Sequence, residues 1–225
     1  MKRTLALVLA GALLCGASYR LFTVPFTAAA DAPAPERKNT GNVIESARDP
    51  KVRLEFKPPI EYVGAERFVL YGVADCEIHV FVEADAQRHV KRLYWVQFEA
   101  YLPEVKSSYK YESPVNVTMG GLNFVVHGWV RATDAPSRPG SDGEHVRDLL
   151  RAKGYRLAAE MMSQRLVHLP DAEKRKELMI IHSEDLAPTG YTVADLKEGG
   201  PKASEWPALS KALLERAQAG ITVTR

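Results

Sequence analysis

The residues of this 225-residue chain that could do chemistry are six histidines, Cys76 and the carboxylates, and their spacing matches none of the familiar catalytic patterns. There is no His-Glu-x-x-His run, no paired-cysteine zinc pattern and no glycine-rich phosphate loop with its lysine. Ser141, in the run Gly140-Ser-Asp-Gly143, lacks the glycine two positions earlier that a nucleophile elbow needs. No metal and no cofactor is expected. Cys76 alternates with Ile78 and Val80 as a small buried hydrophobe does, and the domain offers it no disulfide partner.

The histidines divide by position. His89 and His145 fall in a loop and in a first helical turn, where solvation is the ordinary state. His168 and His182 fall on later strands, where a hydrogen-bonded structural role is expected. His79 and His127 differ, because both are expected on one sheet face beside large aromatic residues.

That face comes from alternation. Residues 92–103, RLYWVQFEAYLP, carry Tyr94, Val96 and Phe98 on one side and Leu93, Trp95, Gln97, Glu99 and Tyr101 on the other. Residues 76–84 alternate too, with Cys76, Ile78, Val80 and Val82 against Glu77, His79, Phe81 and Glu83. Matching core to core pairs Val80 with Tyr94, Ile78 with Val96 and Cys76 with Phe98, which sets His79 opposite Trp95. A second hairpin closes at Gly120-Gly121, pairs Val117 with Phe124, and leaves His127, Trp129 and Arg131 on its other side. The candidate ligand-binding face is therefore His79, Trp95, Gln97, Glu99, Tyr101, His127, Trp129 and Arg131. Several aromatics among a few polar groups are what a pocket offers, and such a face left in water invites aggregation.

The elements that must position it follow from the same patterning. Val52, Leu54 and Phe56 alternate up to Pro58-Pro59, as on an edge strand, and residues 68–73 are apolar on both sides, as in an interior strand. Residues 131–143, rich in Pro, Gly, Ser and Asp, read as a long loop. Ser141 and Glu144 have capping-box spacing ahead of Val146, Leu149 and Leu150, and Gly154 ends that helix. Residues 157–162 extend the helical stretch, SQRLVHL and ELMIIHS read as strands, Ser204 caps a last helix carrying Leu209, Leu213 and Ala217, and ITVT closes as a strand. Strands first and helices later predict an α+β fold, with a mostly antiparallel sheet, curved by preference, and helices on its aliphatic face.

Lys2 and Arg3 precede an apolar run from Leu5 to Leu14, the pattern of a signal peptide or uncleaved signal anchor over residues 1–30. Residues 31–49, with Pro33, Pro35 and Gly41, read as a flexible linker, and residues 50–225 as one domain. Removing the three cations Lys2, Arg3 and Arg20 takes the formal charge from +2 to −1. No basic stripe remains, so nucleic acid is not an expected partner, and the membrane is met only through the N-terminal segment. The expected location is extracytoplasmic: periplasmic, or held at the inner membrane if the anchor is kept.

Three functions are open. The preferred one is a non-catalytic module that binds a small molecule or an envelope protein through the aromatic and polar face. The second is an envelope hydrolase with His127 or His79 as base and Glu99 as its partner. The third is a membrane-tethered structural subunit of an envelope assembly. A concave pocket favours the first, a His–carboxylate contact in a cleft the second, and a flat apolar patch the third.

Overall fold

A computed structural model describes residues 33–225, and the signal or anchor expected over residues 1–30 lies outside them. The early strands are β1 (Lys38–Thr40), β2 (Val43–Ser46), β3 (Val52–Phe56), β4 (Glu61–Leu70), β5 (Ala74–Ala84) and β6 (His89–Tyr101). The later ones are β7 (Asn116–Met119), β8 (Leu122–Ala132), β9 (Arg156–Leu157), β10 (Glu160–His168), β11 (Lys176–Asp185) and β12 (Ile221–Thr224). Helices α1 (Asp142–Ala152), α2 (Val193–Leu196) and α3 (Trp206–Ala219) fall in the second half. The larger sheet runs β4-β5-β6-β11-β10-β8-β7, with every neighbouring pair antiparallel, and β9 pairs parallel with the start of β6. The smaller runs β1-β2-β3-β12. The molecule is a mostly antiparallel α+β protein.

Burial explains how these pieces stack. Ile44, Leu54 and Phe56 of the small sheet meet Phe81, Tyr94 and Phe98 of the large sheet in one continuous core. Phe56 stacks on Phe81 with ring centroids 4.0 Å apart. Each side chain buried there contributes about 1.5–3 kcal/mol, so this layer carries much of the stability. Helix α3 completes the same side: Leu214 joins that core, and the Tyr94 hydroxyl donates to the Ala217 carbonyl at 2.9 Å. Helix α1 covers part of the opposite face, where Val146 and Leu150 pack on Ile78, Val80 and Val82. It comes close to β4 at Gly64, where an added Cβ would stand 3.2 Å from a Leu149 methyl.

The α1 boundary is as the sequence predicts. Ser141 is the N-cap, its hydroxyl accepting from the Glu144 amide at 3.2 Å, and Gly154 follows the end with φ of +78°. The Glu144 carboxylate accepts from the Gly140 amide, one residue before the capping-box donor. The second hairpin also has the expected register, Val117 opposite Phe124, with Gly120 and Gly121 both at positive φ as a two-residue turn requires.

Other expectations are corrected. The β5–β6 register is shifted by one: Val80 lies opposite Trp95, Ile78 opposite Gln97 and Cys76 opposite Glu99. Lys91 bulges out of β6 between Arg92 and Val90, and the expected register holds only beyond that bulge, where Ala84 faces Val90. Both sides of β5 are covered, so Val80 and Phe81 are each wholly buried and alternation alone discriminates poorly between the two registers. Phe81 and His79 therefore sit with Tyr94 and Phe98, on the face opposite Trp95. The helices divide between the two faces, with α1 on the Trp95 side and α3 on the Tyr94 side, because both faces carry apolar side chains. Strand β3 is internal to the small sheet, flanked by β2 and β12. Val69, Tyr71 and Val73 are exposed around the β4–β5 turn instead of interior. Residues 157–162 hold the end of β9 and the start of β10 instead of helix, and Ser204 lies in a 3-10 turn ahead of α3. The linker reading of residues 31–49 gives way from Lys38 onward, where β1 and β2 begin and Ile44 is fully buried.

Candidate functional site

Strand β6 lies at the centre of the site because it pairs on both sides within the large sheet. Its outward row of Leu93, Trp95, Gln97 and Glu99 shares one face with Glu177, Met179, Ile181 and Ser183 of β11, which stand directly opposite. Arg165 and Ser163 of β10 extend the rows to His127 and Trp129 of β8. Of the expected face residues, Trp95, Gln97, Glu99, Tyr101, His127, Trp129 and Arg131 thus come together. His79 does not: it is 1% exposed on the other face, where its Nε2 lies 2.7 Å from Glu77 Oε1.

Two covers divide this face. The segment 102–115 crosses one end as a strap. Arg175 holds it by donating to the carbonyls of Leu102, Val105 and Ser107 at 2.9, 2.6 and 3.1 Å. Beneath it, Tyr101 stacks on Tyr109 at 4.5 Å, and the Tyr109 hydroxyl donates to Glu99 at 2.7 Å. Tyr111 donates to Glu177 at 2.7 Å. Trp95 donates to Gln97 at 3.0 Å, and Gln97 donates in turn to Glu99, so a hydrogen-bonded row links the indole to the Glu99 carboxylate. Burial raises the Glu99 carboxyl above its usual range. Glu177 is pushed up to about 7, first by burial and then by the neighbouring Glu99 charge, while Tyr111 and Arg165 pull the other way. Among the described residues no cluster of His, Cys, Asp and Glu is arranged to hold a metal ion.

Helix α1 and the loop after β8 cover the other end incompletely. Between them remains a cavity of about 110 Å³ walled by Trp95, Trp129, Leu93, Ile181, Met161 and Val146. Its floor carries Ser163 and Ser183, whose hydroxyls bond each other at 2.8 Å. Arg131 of β8 and Arg147 of α1 line its rim. Both tryptophans are partly buried and Arg131 is exposed, so this is a cleft and not a sealed core. His127 sits between cleft and strap, donating from Nε2 to the Glu112 carbonyl at 2.7 Å, and its buried Nδ1 has no hydrogen-bond partner among the described residues.

The sequence pattern missed the strap, Glu177 and the two floor serines. Glu177, Met179, Ile181 and Ser183 do alternate, which was the available signal. The intervening Leu178, Ile180 and His182 are equally buried and mask it. Arg147 was legible only as a polar position on α1. A second cavity, about 190 Å³, lies around Glu77, but Arg37, Arg48 and Lys176 in its wall each pair with a carboxylate. The chain matches no protein-family model, no curated protein and no solved structure, so the chemistry of its site rests on its own residues.

Proposed function

We propose that this chain is an exported, non-catalytic binding module of the cell envelope that receives the apolar part of a small ligand in the cleft between Trp95 and Trp129. One observation carries the reading: two partly buried indoles and four aliphatic or thioether side chains wall a cavity with an exposed rim. The cavity is of the order that admits a single ring or a short chain, given that a dry cavity of about 150 Å³ holds benzene. The hydrolase alternative has less support. His127 has no carboxylate within 4.0 Å among the described residues, whereas the contacts His79–Glu77 and His182–Glu184 involve histidines at most 1% exposed. The structural-subunit alternative draws on a separate feature, the exposed apolar turn at Val69, Tyr71 and Val73.

The test is titration of the full chain with benzamide, a neutral ring of suitable size, followed by Trp emission and ligand-observed NMR. Saturable binding in the millimolar range or tighter is expected, about −4 kcal/mol. Trp129→Ala should abolish it while lowering stability by less than the roughly 3–5 kcal/mol of a fully buried aromatic. An absence of saturation, or a Trp129→Ala chain that binds as wild type, would overturn the proposal.

A further inference from the structure

We infer that the ligand of this cleft is a small organic acid, a ring or short chain carrying one carboxylate, an inference that rests on the binding-module reading. The arginines of the molecule differ in whether a carboxylate pairs with them. Arg37, Arg48, Arg53, Arg67, Arg92, Arg151 and Arg216 each lie within 4.0 Å of a carboxylate. The two that line the cleft, Arg131 and Arg147, have no such partner among the described residues. Their contacts are long, neutral ones. Arg131 donates to the Ala135 carbonyl and the Ser137 hydroxyl, both at 3.3 Å, and Arg147 to the same carbonyl at 3.5 Å.

Two guanidinium groups from different elements therefore converge on one loop carbonyl at the rim of an apolar basin. A carboxylate arriving there would replace one stretched neutral acceptor with charge-assisted bonds, to which the planar guanidinium fork is suited. The basin below offers little else that is polar. Ser163 and Ser183 bond each other, which leaves one hydroxyl proton free to meet a ligand oxygen. An apolar body with a single anionic head satisfies both halves of the site. A dianion or a sugar would leave polar groups stranded against Leu93, Met161 and Ile181. The carboxylates of the same face do not contradict this, because Glu99 and Glu177 are held under the strap by Tyr109 and Tyr111 and do not line the cavity.

The experiment compares benzoate with benzamide, rings of equal size that differ in charge, on the full chain. At about 20 mM salt benzoate should bind about tenfold more tightly, and the ratio should fall toward one at about 0.5 M as ions screen the rim. The double variant Arg131→Gln, Arg147→Gln should lose the preference, the ratio of benzoate to benzamide affinity falling to about one even at low salt. Arg131→Gln alone, at an exposed position, should lose part of it. Arg156→Gln, which removes a cation outside the cleft lining, should keep the preference. Equal binding of the two rings by the wild type would overturn the inference and leave the binding module standing. Binding of neither would overturn both.

Discussion

Glu177 faces Glu99 from the adjoining strand, and two buried carboxyls so placed resist carrying two negative charges. Tyr111 of the strap, Arg165 of β10 and Asp142 of α1 also act on Glu177, and burial is the strongest influence of all. Its pKa in the folded protein, about 7, lies above the ordinary 4.5. The folded state therefore binds the proton more tightly than the unfolded chain does. The stabilisation is fully present below about pH 4.5 and is lost as the pH rises through about 7, at most about 3 kcal/mol. Glu77 behaves in the opposite sense. Burial alone would raise its carboxyl, but bonds from His79 and from the amides of Glu36 and Arg37 outweigh burial and bring it to about 2. Its contribution is present above 4.5 and lost as the pH falls through about 2. Thermal melts should place maximal stability near pH 5. Glu177→Gln, which keeps an oxygen for Tyr111, should melt alike at pH 5 and pH 8 where wild type declines. A persistent decline in the variant would assign the alkaline limb to Glu99.

At the scale of elements, legibility depended on how many sides of an element are buried. The β7–β8 hairpin could be read because Gly120-Gly121 dictates the turn and only one side of β8 is deep in the core: Phe124 and Val126 are buried while Val125 and His127 are partly exposed. The β5–β6 pair could not, because Val80 and Phe81 are equally buried and a one-residue bulge at Lys91 lies near the turn. This shift moved His79 out of the site and left the aromatic row of β6 in place, since that row is defined within a single strand. The strap had no periodicity to read, and its role emerges only when Tyr109 and Tyr111 meet carboxylates from two different strands. Helix α1 was the most legible element, and its cap matters to the cleft, because Gly143, Val146 and Arg147 of its first turns line the cavity. Ser141→Ala removes the hydroxyl that accepts from the Glu144 amide and should cost about 1 kcal/mol. In a domain of this size that lowers the melting temperature by about 2–4 °C. A larger loss, measured by calorimetry, would mean that Ser141 supports the 131–141 loop as well as the helix.

For the whole molecule the decisive feature is that the small sheet joins segments far apart in sequence. Strands β1, β2 and β3 come before the large sheet in the chain and β12 after it, yet β3 and β12 pair along Ile221–Phe56 and Val223–Leu54. Their apolar sides close the core over Phe81, Tyr94 and Phe98, and the amides of Glu36 and Arg37 are tied to Glu77 on that same face. A flexible tether up to residue 49 would leave this core open to water, since Ile44 and Leu54 are both wholly buried. The two layers should therefore unfold together. Ile44→Ala deletes a buried side chain between the layers and should cost about 2–5 kcal/mol. With Trp206 of α3 replaced by Phe, the remaining Trp95 and Trp129 report from the far face of the large sheet, on the opposite side of the strands from Ile44. If the layers form one cooperative unit, their fluorescence and the far-ultraviolet dichroism of the sheets should shift to the same lower denaturant midpoint in Ile44→Ala. If the dichroism shifts and the tryptophan transition stays, the large sheet with α1 holds the cleft by itself and the small sheet is a separable cover.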